Sequence, residues 1–168
     1  MRIAANLLPN IALVDTGVFM RFLGEQQGDP KAIACRAFCQ SMLDSSRDIF
    51  IAAPTLAEIS RLKGAPIPRV RGITVVAFDD RAAEILGLRG PVNAITEIMQ
   101  DTGFSRNCIR YDFMIAACAA RAGADVLVSL DKDMPKICSH MGIAYKKPEE
   151  YEEFSLLKLS PSAAIIRT

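Results

Sequence analysis

Short, almost wholly apolar runs alternate along this chain with longer segments in which apolar residues recur every three or four positions. The runs IALVD (11–15), IFIAA (49–53), ITVVAF (73–78) and DVLVSL (125–130) are brief and rich in β-branched residues, so each predicts a strand. They lack a regular polar alternation, which suits strands covered on both faces, as in a parallel sheet. IAYKK (143–147) is a weaker fifth strand. The periodic segments predict helices at 18–24, 30–45, 55–63, 79–88, 92–101, 107–122 and 132–141. Asp29-Pro30 reads as an N-cap followed by a first-turn proline, and Gly123 as the end of the helix before it. GAPIPRVRG (64–72) is a loop, and the tail after Lys158 is peripheral. The alternation predicts an α/β fold, a three-layer α/β/α sandwich around a central parallel sheet of four or five strands. One domain over residues 1–168 is expected, with its core at about 11–147.

One helix breaks its own pattern. At about 100° per residue, Cys108, Ile109, Ile115, Ala116, Ala119 and Ala120 share a face, and Asp112 falls near its centre. Asn107, Arg110, Met114 and Arg121 lie opposite. An unpaired buried carboxylate costs several kcal/mol, so Asp112 needs a partner. In open α/β sheets, ligands bind beyond the carboxyl ends of the strands. The first strand runs into Asp15 there, and the fourth into Asp131 and Asp133. The second leads through Ala53-Pro54 into a helix carrying Glu58. Asp112, well upstream of the fourth strand, is placed towards the same edge. Converging carboxylates raise one another's pKa unless a cation intervenes, and Lys132 is the one basic residue within these motifs. A hard divalent cation, Mg²⁺ or Mn²⁺, suits an all-oxygen site and is the partner expected for Asp112.

Composition narrows the class. A chain of 168 residues can bury roughly 70% of its unfolded surface without disulfides or metals as staples. Half of the residues are hydrophobic, which excludes disorder. A net charge of +1 gives no strong overall field for nucleic acid or membrane. It leaves room for a local patch, and Arg61, Lys63, Arg69 and Arg71 form a stretch without acids beside the Glu58 helix. Arg69 and Arg71 are expected to contact phosphates, with a plain solvated loop as the alternative. Five cysteines without a C-x-x-C pair, and His140 as the single histidine, argue for buried thiols rather than zinc. The start, MRIAANLLPNIALVD, is a poor signal peptide because Asn6, Pro9 and Asn10 interrupt it. No apolar run reaches the ~18 residues of a membrane span, so a soluble, cytoplasmic protein with no membrane partner is expected.

Each acid also has a plainer explanation. Asp15 can start a turn before Gly17. Thr55 and Glu58 have the spacing of a capping box. Asp131 can cap the helix after the fourth strand, and Asp133 can face its dipole. Asp79-Asp80 reads as a helix cap and His140 as a surface or helix-end residue. A strand followed by Asp131-x-Asp133 also resembles the nucleophile motif of haloacid dehalogenase-type phosphatases, but too little chain follows it to complete that domain. No phosphate-binding glycine motif is present.

Taken in order, ALVDTGVF, APTLAEISRL, IRYDFMIAACA and VLVSLDKDM resemble the PIN domain family, and within it the VapC-type toxin ribonucleases, over roughly residues 11–147. The resemblance carries the family's acids onto Asp15, Glu58, Asp112 and Asp131, with Asp133 as a variable fifth, and its hydroxyl positions onto Thr16 and Ser129. Gly17 stands where asparagine or serine is common, and Met134 where an aromatic is common. The resemblance implies a Mg²⁺- or Mn²⁺-dependent endoribonuclease cutting single-stranded or loop RNA to leave a 5′-phosphate. Asp15, Asp112 and Asp131 would hold the metal, with Glu58 acting through water. It further implies a homodimer and a small antitoxin protein as partner. The alternatives are a PIN-like module that binds RNA or protein without cutting, and a housekeeping RNA-processing nuclease.

Overall fold

The computed structural model describes residues 3–24, 28–64 and 70–151. After a short 3₁₀ turn at Ala5–Leu7, the chain forms β1 (Ile11–Val14), α1 (Thr16–Leu23), α2 (Pro30–Asp44), β2 (Asp48–Ala52), α3 (Ala53–Lys63) and β3 (Ile73–Val76). It continues with α4 (Asp80–Arg89), α5 (Val92–Thr102), α6 (Arg106–Ala122), β4 (Val126–Val128), α7 (Met134–Met141) and β5 (Tyr145–Lys146). All strand pairs are parallel, in the order β3-β2-β1-β4-β5. The expected α/β sandwich is what forms, and its sheet has five strands.

Side chains alternate across a strand, and here the alternation feeds two cores. Ala12 and Val14 of β1, Ile49 and Ile51 of β2, and Val126 and Val128 of β4 pack with Val18, Phe19, Cys35, Phe38 and Met42 of α1 and α2. Leu13, Ala52 and Leu127 face the other way, onto Ile98, Ile109, Phe113 and Ile137 of α5, α6 and α7. The central strands are therefore apolar on both faces. β3 is not: Thr74 and Val75 are exposed, so this edge strand is only partly covered. The core also runs past its expected limit, because buried Tyr151 packs against Phe38 in a tilted pair with ring centroids 4.7 Å apart. Arg69 and the tail after Lys158 lie outside the described residues.

Helix starts follow local chemistry, with two departures. Asp29, Asp79 and Ser105 accept from the backbone N–H groups of Lys31, Ala82 and Cys108 and so cap α2, α4 and α6. The cap reading of Asp79 holds. α3, however, begins at Ala53 rather than Thr55, because the chain turns directly from β2 with Pro54 in the first turn. Thr55 is then inside the helix, and the capping box with Glu58 does not form. α7 begins at Met134, so Asp133 and not Asp131 occupies its N-cap position, and its side chain makes no capping bond. The thiols are free; Cys35, Cys39, Cys118 and Cys138 are buried, whereas Cys108 is exposed rather than on a packed face. No helix among the described residues is long and apolar enough to cross a membrane.

Candidate active site

The sheet reverses its direction of growth at β1. The chain lays β2 and β3 on one side of it, then returns to place β4 on the other. The crevice at such a reversal, beyond the carboxyl ends of the strands, is where this architecture binds ligands. Asp15 follows β1 there, and the Asp15 N–H continues the ladder to the Val128 carbonyl of β4 at 3.1 Å. Ser129 then follows β4, fully buried.

Ser129 ties the two strand ends together. Its hydroxyl donates to Oδ2 of Asp15 and accepts from the Asp131 N–H at 2.9 Å. The other Asp15 oxygen accepts from the Gly17 N–H at the start of α1. Tyr145 of β5 donates to the Ser129 carbonyl at 3.2 Å. On the facing wall, Thr16 donates to Oε2 of Glu58 at 2.8 Å, tying that carboxylate of α3 to the start of α1. Asp15, Thr16, Glu58, Asp112, Asp131 and Asp133 all line one cleft of about 910 Å³, with Ser129 held beneath it. The turn reading of Asp15 is correct as far as it goes, since the Gly17 contact is such a turn, yet its second oxygen is committed to Ser129.

The electrostatics reflect this gathering. Asp15 is 1% exposed, and burial, then the charge of Asp131, push its carboxyl up to about 7. Asp112 is pushed up to about 9 by burial, then by Asp133, Asp131 and Asp15. Asp131, at the exposed rim, is raised by residual burial and by Asp133. Among the described residues, no lysine or arginine forms an ion pair with any of these acids. Asp133 is 1% exposed, and its Oδ2 is buried without a hydrogen-bond partner.

These donors suit a hard divalent cation. They are all oxygens, they repel one another, and one of them is a buried carboxylate oxygen left unsatisfied. No three of them are drawn into a finished metal cage among the described residues. Mg²⁺ does not require one, because it keeps several waters and takes only one or two carboxylates directly.

Two sequence expectations shift. Arg71 precedes β3 and so lies at the amino edge of the parallel sheet, opposite the acids, and is not part of the cleft wall. Arg61 and Arg110 line the cleft instead, together with Phe104 and Tyr111. The signal for Tyr111 was its position beside Asp112 on α6; for Arg110, the helical wheel pointed the other way. Gly17 leaves room for a side chain, since a Cβ there would meet Asp15 Oδ1 at 3.5 Å and Arg21 Nη1 at 3.7 Å, both ordinary contacts. Gly17→Ala should therefore keep the Asp15 contact and gain about 0.5 kcal/mol through the stiffer unfolded chain. A small rise in melting temperature would agree, and a fall would show the space to be needed.

The family model described as PIN domain matches residues 12–139. No curated protein matches the chain. Among solved structures, the chain is similar to one in the crystal structure of VapBC2 from Rickettsia felis bound to a DNA fragment from their promoter, with 13% identity and a TM-score of 0.53 over 82% of this chain and 98% of that one. It is also similar to a chain in the structure of FitAB bound to an IR36 DNA fragment, with 17% identity and a TM-score of 0.48 over 82% of this chain and 94% of that one.

Proposed function

The chain belongs to the PIN domain family, and from that premise we propose that it is a Mg²⁺- or Mn²⁺-dependent endoribonuclease, the toxin of a toxin–antitoxin pair acting in the cytoplasm. The observation that carries this reading is the gathering of five carboxylates around one cleft, none of them in an ion pair among the described residues. Asp15, Asp112 and Asp131 would hold the metal, with Asp133 as a further donor and Glu58 reaching it through water. When bound, a divalent cation supplies an acidified water as nucleophile and positive charge against the phosphate.

The chain's own residues do the positioning. Ser129 fixes Asp15 relative to Asp131 by bonding to both. Thr16 holds Glu58 at the cleft wall, where its carboxylate can orient the attacking water. Thr16→Ala should free Glu58 and lower cleavage roughly 10-fold, an effect of the size seen when groups that orient a metal site are removed. A rate equal to wild type would show that Glu58 needs no such support. The toxin assignment draws on the motif resemblance and on the fold shared with a chain of VapBC2. On that reading the partners are a second copy of the chain and a small antitoxin protein. A module that binds RNA or protein without cutting is the second reading.

The test is cleavage of a mixed panel of short RNAs with Mn²⁺ and with chelator. Cutting that needs Mn²⁺ and leaves 5′-phosphates is the expected result. No cutting, together with a melting temperature that Mn²⁺ does not move, would favour the binding module.

A further inference from the structure

Two aromatic side chains stand in water at the mouth of the cleft. Phe104 is 45% and Tyr111 47% exposed, and both line the space that holds the acids. Aromatic side chains contribute to a fold by being covered, so packing does not account for the part of each ring that is left in water. Cys108, Tyr111, Asp112 and Ile115 follow the i, i+3, i+4, i+7 spacing of one helix face, and all four line the cleft. Tyr111 thus neighbours Asp112 on that face, and Phe104 extends the line beyond the cap residue Ser105. On the facing wall, α3 presents Ala57, Glu58 and Arg61. Arg61 and Arg110 are exposed, and neither is bonded or ion-paired among the described residues. The cleft therefore grades from an acidic floor to an outer part with two aromatics and two free guanidinium groups.

These parts match different pieces of one kind of molecule. Phosphates are attracted by the arginines. Base faces stack on aromatic rings, whichever base is present, provided that no partner strand hides them. In a paired A-form helix the bases are stacked on one another and out of reach of such rings. We propose that Phe104 and Tyr111 stack unpaired bases beside the acids, while Arg61 and Arg110 hold the adjoining phosphates, so that these four side chains supply the preference for single-stranded RNA that the family resemblance implies. The consequence for cutting rests on the ribonuclease reading; the binding preference does not.

Binding is measured in chelator, so that no RNA is cut. The chain has no tryptophan and three tyrosines, of which only Tyr111 is exposed, Tyr145 being half-buried and Tyr151 buried. Affinity is read for every variant from the anisotropy of a labelled strand, so that those lacking Tyr111 are measured too. In the wild type the tyrosine emission reports the stacking. A short single-stranded oligoribonucleotide should quench that emission. Phe104→Ala and Tyr111→Ala should each weaken that binding roughly 5- to 100-fold, with melting temperatures unchanged. Phe104→Tyr and Tyr111→Trp should retain it. An abasic strand with the same phosphates should bind wild type as weakly as ordinary RNA binds the double alanine variant. The proposal is overturned if that double variant binds single strands like wild type, or if wild type prefers a duplex; the aromatic pair would then be left to a protein partner. Stacking without Mn²⁺-dependent cutting would keep this proposal and remove the nuclease reading. Cutting of paired and unpaired RNA alike would do the reverse.

Discussion

Asp112→Asn is expected to abolish most RNA cleavage and, without divalent ions at pH 8, to melt above the wild type. Both effects come from one charge. In the divalent-free fold, Asp112 is half-buried, and desolvation, then the charges of Asp133, Asp131 and Asp15, push its carboxyl up to about 9. Asparagine fills nearly the same space and cannot ionise. At pH 8 the wild-type fold must hold a proton there that the unfolded chain has released, and asparagine avoids that cost, a gain on the order of 2 kcal/mol. For a chain of this length that is roughly 4–8 °C. The gain should vanish at and below about pH 4, where the unfolded chain keeps its proton too. Cleavage should fall about 100-fold or more, since groups at a metal site carry effects of at least that order. Melting curves across pH, set beside cleavage rates, check both halves. Lower stability of the variant at pH 8 would mean that the carboxylate has an attractive partner in the fold.

Stability of the divalent-free wild type should fall as pH rises from about 4 to about 9. Asp15 is pushed up to about 7 and Asp112 to about 9, both from 3.8. Between those values the native state keeps protons that the unfolded chain has released. Folding then takes up protons, so each rise in pH disfavours it, by up to ~1.4 kcal/mol per unit for each such group. Stability is greatest below the unfolded value and is lost as pH passes through the folded ones. Mn²⁺ should reverse the trend, because it competes with protons for the same oxygens. At a hundred times its dissociation constant it adds about 2.7 kcal/mol, or roughly 5–11 °C. The Mn²⁺ shift should be large at pH 8 and small at pH 5. An equal shift at both values, or a protein that gains stability from pH 5 to 8 without metal, would place the cation away from these acids.

Much of this was legible because strand ends and acids coincide. Asp15, Asp131 and Asp133 directly follow apolar runs, and Asp112 stood out against its own helix face. Reading those signals needed only periodicity and the rule that parallel strands end on one edge. What stayed hidden depends on how separate elements meet. The start of α3 at Ala53 is set by the turn out of β2, which local spacing around Thr55 does not reveal. The exposure of Cys108 and the position of Arg110 at the cleft depend on how α6 packs beside α3, not on the wheel of α6 alone. Arg71 lies just before β3, at the amino edge of the sheet, a placement that depends on where β3 joins the sheet.

The bond between Asp15 and Ser129 joins residues 114 positions apart. Until β4 docks, β1 has a bare edge on that side and Asp15 has only its own turn to hold it. A nascent chain on the ribosome therefore cannot assemble the acidic cluster before the region around Ser129 and Asp131 has emerged. Such distant pairing slows folding, since a long loop must close before the contact rewards it. The fold thus delays its own chemistry: most of the protein must be synthesised before the site exists.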